Sequence, residues 1–467
     1  MLKGLEISEV RLKDIGLKTS DFRIDSEYFT GKFAQYCRLM EKCGCTYFAR
    51  EAQKAVKGAF DITADKFREA GIPFVRISNI RDMELDASSM VYIDADVHAK
   101  YIASELRRGD IVLSKTAYAA ASIVTLPVCN TSQDTIAISL NPDSCIDPYF
   151  TVVYLNTRYG LFLMEYLFTG NVQKHFNLTE CKTKLPIPIF SKKFQGEIRN
   201  LFSQALAARS ESNKVYREAE QMLLADLGFA GWSPTDAAVS VKSYSDFLSA
   251  GRFDAEYFQP KYDDYEDHIN SYKGGCHSLK TFVKQNTTLC KRELPDYQYV
   301  EIGDVNIGDT EYSTNRILAE NLPANAKIMA KKGDVIISKV RPNRGAVTII
   351  GAAADDLVVS GAFTVVSATG DLCKEVLLVL LRTWIYRDWF LKWTVGSSYP
   401  VLKDEDVLNI PVPLVDKMVQ RDIVAKVQSS FALRAESKRL LDLAKHAVEM
   451  AIEQGEEKAI SALNKEV

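Results

Sequence analysis

Two long proline-free stretches constrain this 467-residue chain more than anything else in it. Residues 192–227 read KKFQGEIRNLFSQALAARSESNKVYREAEQMLLADL, with one glycine, Gly196, near the start. Ile198, Leu201, Ala205, Ala208, Ser212, Val215, Ala219 and Met222 recur at alternating spacings of three and four, an a/d stripe sustained over about four heptads. Residues 417–456 keep the same phase through Ile423, Ser430, Leu433, Ser437, Leu440, Ala444 and Ala447. Gln195 matches Gln420, Ile198 matches Ile423, and Glu211-Ser212 matches Glu436-Ser437, all at an offset of 225 residues.

The echo extends over the whole chain. Arg23-Ile24-Asp25-Ser26-Glu27-Tyr28-Phe29 returns as Arg252-Phe253-Asp254-Ala255-Glu256-Tyr257-Phe258. Phe74-Val75-Arg76-Ile77-Ser78-Asn79-Ile80 returns as Tyr299-Val300-Glu301-Ile302-Gly303-Asp304-Val305. The Gly109-Asp110 turn and the run Ile111 to Lys115 return as Gly333-Asp334 and Val335 to Lys339. Leu185-Pro186-Ile187-Pro188 returns as Ile410-Pro411-Val412-Pro413. One large unit is therefore duplicated in tandem, which excludes a solenoid of short repeats.

Each unit reads alike. A polar helix or turn around the RxDxEYF segment comes first. β-branched runs broken by Gly, Pro, Asn and Asp follow, so the middle is mostly strand. A helix is expected over Pro148 to Phe168 and over Lys374 to Thr394, with Gly170 and Gly396 as its C′ residues. The Pro-x-Pro strap can continue neither a helix nor a central strand and marks the junction with the long helix. Gly228 to Thr235 reads as a turn-rich linker. The expected fold class is α+β: two duplicated mixed α/β domains, 1–190 and 230–415, separated by two long helices, 191–229 and 416–467, forming an antiparallel coiled coil. Packing of each helix on its own domain is the alternative way to bury the stripes. Helix pairing rests on Ile198, Leu201, Ala205 and Val215 against Ile423, Leu433, Leu440 and Ala444. A helix of about 30 residues is a rod of ~45 Å.

Composition narrows the function. A formal net charge of -3 means that any nucleic-acid role rests on local basic patches. The nine cysteines are scattered, and Cys43-Gly44-Cys45 lacks the CxxC spacing of a zinc or redox motif, so no metal site is expected. Free thiols suit a reducing cytosol, and the N-terminus has no apolar core of a signal peptide, so a cytoplasmic location is expected. No P-loop, GxSxG or HExxH sequence is present. Asp147-Pro148-Tyr149-Phe150 has a partial likeness to an (N/D)PP(Y/F) adenine-gripping loop but lacks the second proline; it reads as a strand-to-helix turn with Pro near N1. Asp110 with Lys115, and Asp334 with Lys339, do not have the spacing of a nuclease dyad on one strand face. No catalytic residue is expected.

What the chain does carry is polar and basic loops at corresponding places. Lys339, Arg341, Asn343 and Arg344 form a loop rich in donors for phosphates and base edges, since arginine can fork onto guanine and asparagine can pair with adenine. Its counterpart holds Lys115 and Tyr118. The loops after the two glycines supply Gln173, Lys174, His175 and Asn177 in one unit and Ser397, Ser398, Tyr399 and Lys403 in the other. Arg76 and Asn79, in the strand-like FVRISNI run, complete the candidate DNA-contacting set. Framework segments match while these loops diverge, as two readers of different sequences on one scaffold would; free drift of surface loops is the competing explanation. Trp384, Tyr386, Trp389, Phe390 and Trp393 lie at helical spacing and read as core.

These features together resemble the specificity subunit of type I restriction–modification systems. The likeness is carried by GIPFVRISNI, by RRGDIVLSK and KKGDVIISK, by the Gly170 and Gly396 loops, and by the LPIPIFSKKFQGEI and IPVPLVDKMVQRDI junctions. It spans the chain twice. It implies two target recognition domains, each reading half of a split site on double-stranded DNA in the major groove. The paired helices would act as a ruler between the halves and a docking surface for methyltransferase subunits, two by the family pattern, with restriction subunits joining to cleave. The resemblance implies no activity and no cofactor in this chain; S-adenosylmethionine, ATP and Mg²⁺ would belong to partners. A stand-alone nuclease or methyltransferase, and a coiled-coil scaffold that binds only protein, are the other readings. A ~45 Å rod and a DNA turn of ~34–36 Å are compatible with two half-sites and an unread spacer. The acidic net charge departs from a generic DNA binder and implies that affinity depends on the assembled complex.

Overall fold

The computed structural model describes residues 31–466 except 82, 88, 171–173, 238, 352–354, 397 and 398. The Arg23–Phe29 segment, expected to form a polar helix or turn, lies outside them. The chain forms two compact units, Met1–Ala208 with Ala435–Val467, and Arg209–Arg434.

In the first unit, Ile72–Val75 pairs parallel with Val128–Thr131, Phe74 opposite Asn130. Val91–Ile93 and Leu106–Arg107 add on either side as antiparallel edges of a four-stranded sheet. A second, six-stranded sheet runs Ala52–Lys57, Thr135–Leu140, Ile111–Ser114, Ala121–Ile123, Met83–Leu85, Ile80–Arg81. The second unit repeats the plan. Asp296–Val300 pairs parallel with Leu357–Ser360 between antiparallel Asn315–Leu318 and Ala326–Met329. Val283–Gln285, Phe363–Ala368, Val335–Ser338 and Val347–Ile349 form its second sheet. In both units the strand after the Gly-Asp turn is buried along its whole length. Its β-branched residues face apolar neighbours on both sides, as a central strand requires. Gly109 (φ 92°) and Gly333 (φ 90°) make the turn possible. Asp334 closes it: its carboxylate accepts from the Lys331 amide (2.9 Å), Asn286 (2.9 Å) and Ser367 (2.5 Å), so it serves the turn.

The helix expected over Pro148 to Phe168 is two helices, Pro148–Leu155 and Arg158–Tyr166. Asp147 caps the first, accepting from the Tyr149 and Phe150 amides at 2.9 and 3.0 Å, with Pro148 at the first helical position. Thr157 ends it and caps the second: its hydroxyl donates to Tyr154 O (2.6 Å) and accepts from the Gly160 amide. Thr383 breaks the second unit's helix the same way, between Lys374–Arg382 and Trp384–Trp389. An Ser/Thr hydroxyl competing for backbone groups explains both breaks. Gly170 and Gly396 do have positive φ (110° and 91°), but they are not helix C′ residues. They turn short hairpins, Phe168–Thr169 with His175–Phe176 and Val395 with Val401. Tyr386, Trp389 and Phe390 are core, while Trp384 is 42% exposed. The proline straps pair at sheet edges, Cys45 opposite Pro188 and Cys276 opposite Pro413.

The long helices are Lys192–Asp226 and Lys417–Gln454. Within the first unit, Phe194, Ile198, Leu201, Phe202 and Ala205 share one core with Leu440, Ala444, Ala447, Val448 and Ile452, and the Ser191 amide donates to Glu456 at 2.9 Å. Within the second, Ser212 is hydrogen-bonded to Ser430 (2.8 Å) and Lys426 to Glu218 (2.6 Å). Rising numbers on one helix face falling numbers on the other, so the pairing is antiparallel. The same helical residues also join the core of the globular part: Phe150 and Leu163 lie in the first cluster, Trp389 and Val376 in the second with Leu223 and Ile423. Both ways of burying the stripe operate together. Val215 and Leu433 are only half-buried and lie outside these clusters. The second helix ends at Gln454 rather than Glu456; Gly455 (φ 92°) turns the chain into Glu456–Glu466, which buries Ala459 and Leu463.

Gln195 and Gln420 explain why their match is preserved across the duplication. Gln195 accepts from the Asp147 amide (2.7 Å) and donates to Cys145 O (3.0 Å) and Phe190 O (2.8 Å). Gln420 accepts from the Cys373 amide (2.9 Å) and donates to Asp371 O (2.9 Å) and Val415 O (2.8 Å). Each buried amide fastens the base of a long helix to the start of the preceding helix pair and to the strap.

Candidate nucleic-acid interface

The buried strand of each unit delivers the chain into a loop, and a second loop closes against it through one bridge. In the first unit the bridge is Thr116 to His175, with the Phe176 amide donating to Lys115 O at 2.7 Å. In the second it is Val340 to Val401, with the Leu402 amide donating to Lys339 O at 2.8 Å. The duplication thus places the two divergent loops side by side at the same point twice. Both first loops turn through a non-glycine residue with positive φ, Ala117 (65°) and Arg341 (49°).

In the first unit, Tyr118 is exposed and its hydroxyl donates to Ile77 O (2.7 Å), which brings the 76–80 turn to the same rim. Lys115 is half-buried and donates to Gln133 O (3.3 Å); burial, and then the nearby Lys57, lower its pKa. Lys174 and His175 are exposed. Asn177 is exposed but caps the helix Leu178–Lys184 through the Thr179 amide (2.8 Å). Asn79 requires a correction. It is fully buried, it accepts from the Arg76 amide (2.9 Å), and its amide donates to Asp86 O (2.9 Å) and Ser89 Oγ (3.2 Å). All of that bonding is internal, so Asn79 shapes the turn and offers nothing to a base. Arg76 is half-buried, donates to Ser89 O (2.5 Å) and lies over Phe67. Gln173, Ser397 and Ser398 lie outside the described residues.

In the second unit, Asn343 and Arg344 are exposed, and Arg341 lies over the Tyr399 ring at 4.2 Å. Lys339 is tied to Asp404 at 2.9 Å, so its charge is partly neutralised. Lys403 is exposed at the start of the helix Asp404–Asn409. Arg341, Asn343 and Arg344 line an open cleft of about 930 Å³ together with Arg252, Asp254 and Glu256. The second copy of the RxDxEYF segment therefore lines this cleft. Arg252 holds Asp254 in a two-point ion pair (2.7 and 2.9 Å) and donates to Thr394 O (2.8 Å), which fixes the base of the second loop. Arg387, not singled out in the sequence, supports the first loop by donating to Asn343 O at 2.8 Å. No helix among the described residues is long and apolar enough to cross a membrane.

No family model matches the chain. Among curated proteins, it is 24% identical over 156 residues to the HindI type I restriction enzyme specificity subunit of Haemophilus influenzae. The match covers 31% of this chain and about a third, 34%, of that relative's length. Among solved structures, the S subunit of a type I restriction–modification system from M. genitalium aligns over 88% of this chain and 94% of its own, at 11% identity and a TM-score of 0.40. The HsdS subunit from Thermoanaerobacter tengcongensis aligns over 88% and 97%, at 13% identity and a TM-score of 0.27. Over that 156-residue segment the chain is similar to a type I restriction enzyme specificity subunit.

Proposed function

We propose that this chain is the DNA sequence-recognition subunit of a cytoplasmic type I restriction–modification complex, with each unit reading one half of a bipartite site. The observation that carries this reading is the repeated loop juxtaposition: the Thr116–His175 and Val340–Val401 bridges set the divergent loops together on one framework. Reading two different half-sites needs such a pair of equivalent mounts with unlike side chains. The antiparallel helices set the half-site spacing, and their charged outer faces dock methyltransferase subunits. Those partners bind S-adenosylmethionine, and a restriction subunit brings ATP- and Mg²⁺-dependent cleavage; this chain binds none of these and is non-catalytic.

The test is a swap of residues 240–415 for the same segment of another such subunit, followed by sequencing of the methylated sites that the assembled complex produces. One half of the site changes and the other stays. A change in both halves, or in neither, overturns the reading. Turnover of DNA by the isolated chain with Mg²⁺ and S-adenosylmethionine overturns the non-catalytic assignment.

A further inference from the structure

The geometry points to Arg341 as a guanine-reading residue of the second unit, an assignment that rests on the DNA-recognition reading above. Arg341 has φ 49° and ψ 54°, a left-handed backbone that residues with a side chain rarely adopt. It also precedes Pro342, and a residue before proline is ordinarily pushed toward extended conformations. Its counterpart Ala117 keeps the same left-handed kink (φ 65°) with a different side chain. A strained backbone kept through a duplication while its side chain changes marks a place whose purpose is to present that side chain.

Among the described residues, what surrounds Arg341 fixes its backbone and leaves its side-chain donors without a carboxylate partner. The Arg341 amide donates to Pro400 O (2.8 Å), stapling the two loops. The guanidinium carbon lies over Tyr399, 4.2 Å from the ring centroid. Tyr399 itself is 57% exposed, so the pair sits at the surface of the cleft. Stacking uses the face of the guanidinium and leaves its in-plane N–H fork available. Among the described residues no carboxylate takes that fork. The two carboxylates that line the cleft are engaged elsewhere, Asp254 with Arg252 and Glu256 with Tyr262 and Gln259. A planar fork of donors, oriented in advance, matches the paired acceptors O6 and N7 of guanine in the major groove; adenine offers one acceptor and one donor there. Tyr399 is then a positioning residue, acting through Arg341.

The experiment uses the complex assembled with its methyltransferase subunits and duplexes carrying its site. Each guanine of the half-site read by the second unit is replaced in turn by 7-deazaguanine, which lacks the N7 acceptor. Affinities are measured at one salt concentration for the unaltered complex, R341A, R341K, Y399F and Y399L. At one guanine the deaza substitution weakens the unaltered complex about tenfold and leaves R341A unchanged. R341K, which keeps the charge but not the planar fork, shows a smaller deaza penalty, Y399L loses the discrimination, and Y399F retains it. The assignment is overturned if the half-site holds no guanine. It is also overturned if R341A binds every duplex more weakly by one factor, as a phosphate contact would, or if the deaza penalties persist in R341A. A complex that discriminates no sequence at all refutes the DNA-recognition reading instead.

Discussion

Gln420→Ala tests how the long helix is fastened in the second unit. The buried Gln420 side chain satisfies one amide and two carbonyls, those of Cys373, Asp371 and Val415. Truncation leaves these groups without partners in a space that the alanine methyl does not fill. At about 1 kcal/mol or more per buried group left unsatisfied, the expected loss is about 3 kcal/mol. With a urea m-value of about 2 kcal/mol/M, the unfolding midpoint falls by about 1.5 M. The readout is specific, because the four tryptophans, Trp232, Trp384, Trp389 and Trp393, all lie in the second unit. Urea titration followed by tryptophan fluorescence therefore reports the unit in which Gln420 sits. Gln420→Met, which restores volume but no hydrogen bonds, should recover less than half of the loss. A midpoint shift below about 0.3 M for Gln420→Ala, or full recovery by methionine, would refute the clamp.

Gly160→Ala places a methyl 2.3 Å from Tyr154 O at the break between the two helices of the first unit, and should destabilise that unit by at least about 2 kcal/mol in a circular-dichroism urea titration. Burial alone would raise the pKa of Glu51, but hydrogen bonds from Thr46, the Cys145 amide and Ser144 outweigh it and hold the carboxyl below its ordinary 4.5. A depressed carboxylate stabilises fully above its unfolded pKa and loses that contribution as pH falls through its folded value. Glu51→Gln should therefore cost stability at pH 7 and progressively less below pH 4.5, measured by melting temperature across pH. Arg344→Ala, at an exposed position, should weaken DNA binding of the assembled complex about equally on all sequences and reduce its salt slope by about one.

Much of this architecture was legible in the sequence because it is written twice. The a/d stripes, the Gly-Asp turns with their buried strands and the straps each recur with a period that marks them as framework. The parallel pairing of Phe74 with Asn130 was not legible, because nothing local specifies a partner so distant in the chain. The helix breaks at Thr157 and Thr383 were missed because apolar periodicity continues across them, and only the hydroxyl's competition for backbone groups ends the helix. Asn79 shows the converse error. A polar residue beside an arginine suggested base contact, yet its side chain is spent on its own turn. Gly170 and Gly396 were read correctly as turns in φ and wrongly in context, since a glycine after an apolar helix and one inside a hairpin look alike in sequence.

The most direct test of the central claim is binding of the assembled complex to a duplex carrying both half-sites, compared at fixed salt with duplexes in which one half is scrambled. Scrambling either half should weaken binding by about a hundredfold or more, since several base pairs at about 1–3 kcal/mol each are lost. Unchanged affinity after scrambling each half would contradict the claim that this chain reads a bipartite DNA sequence.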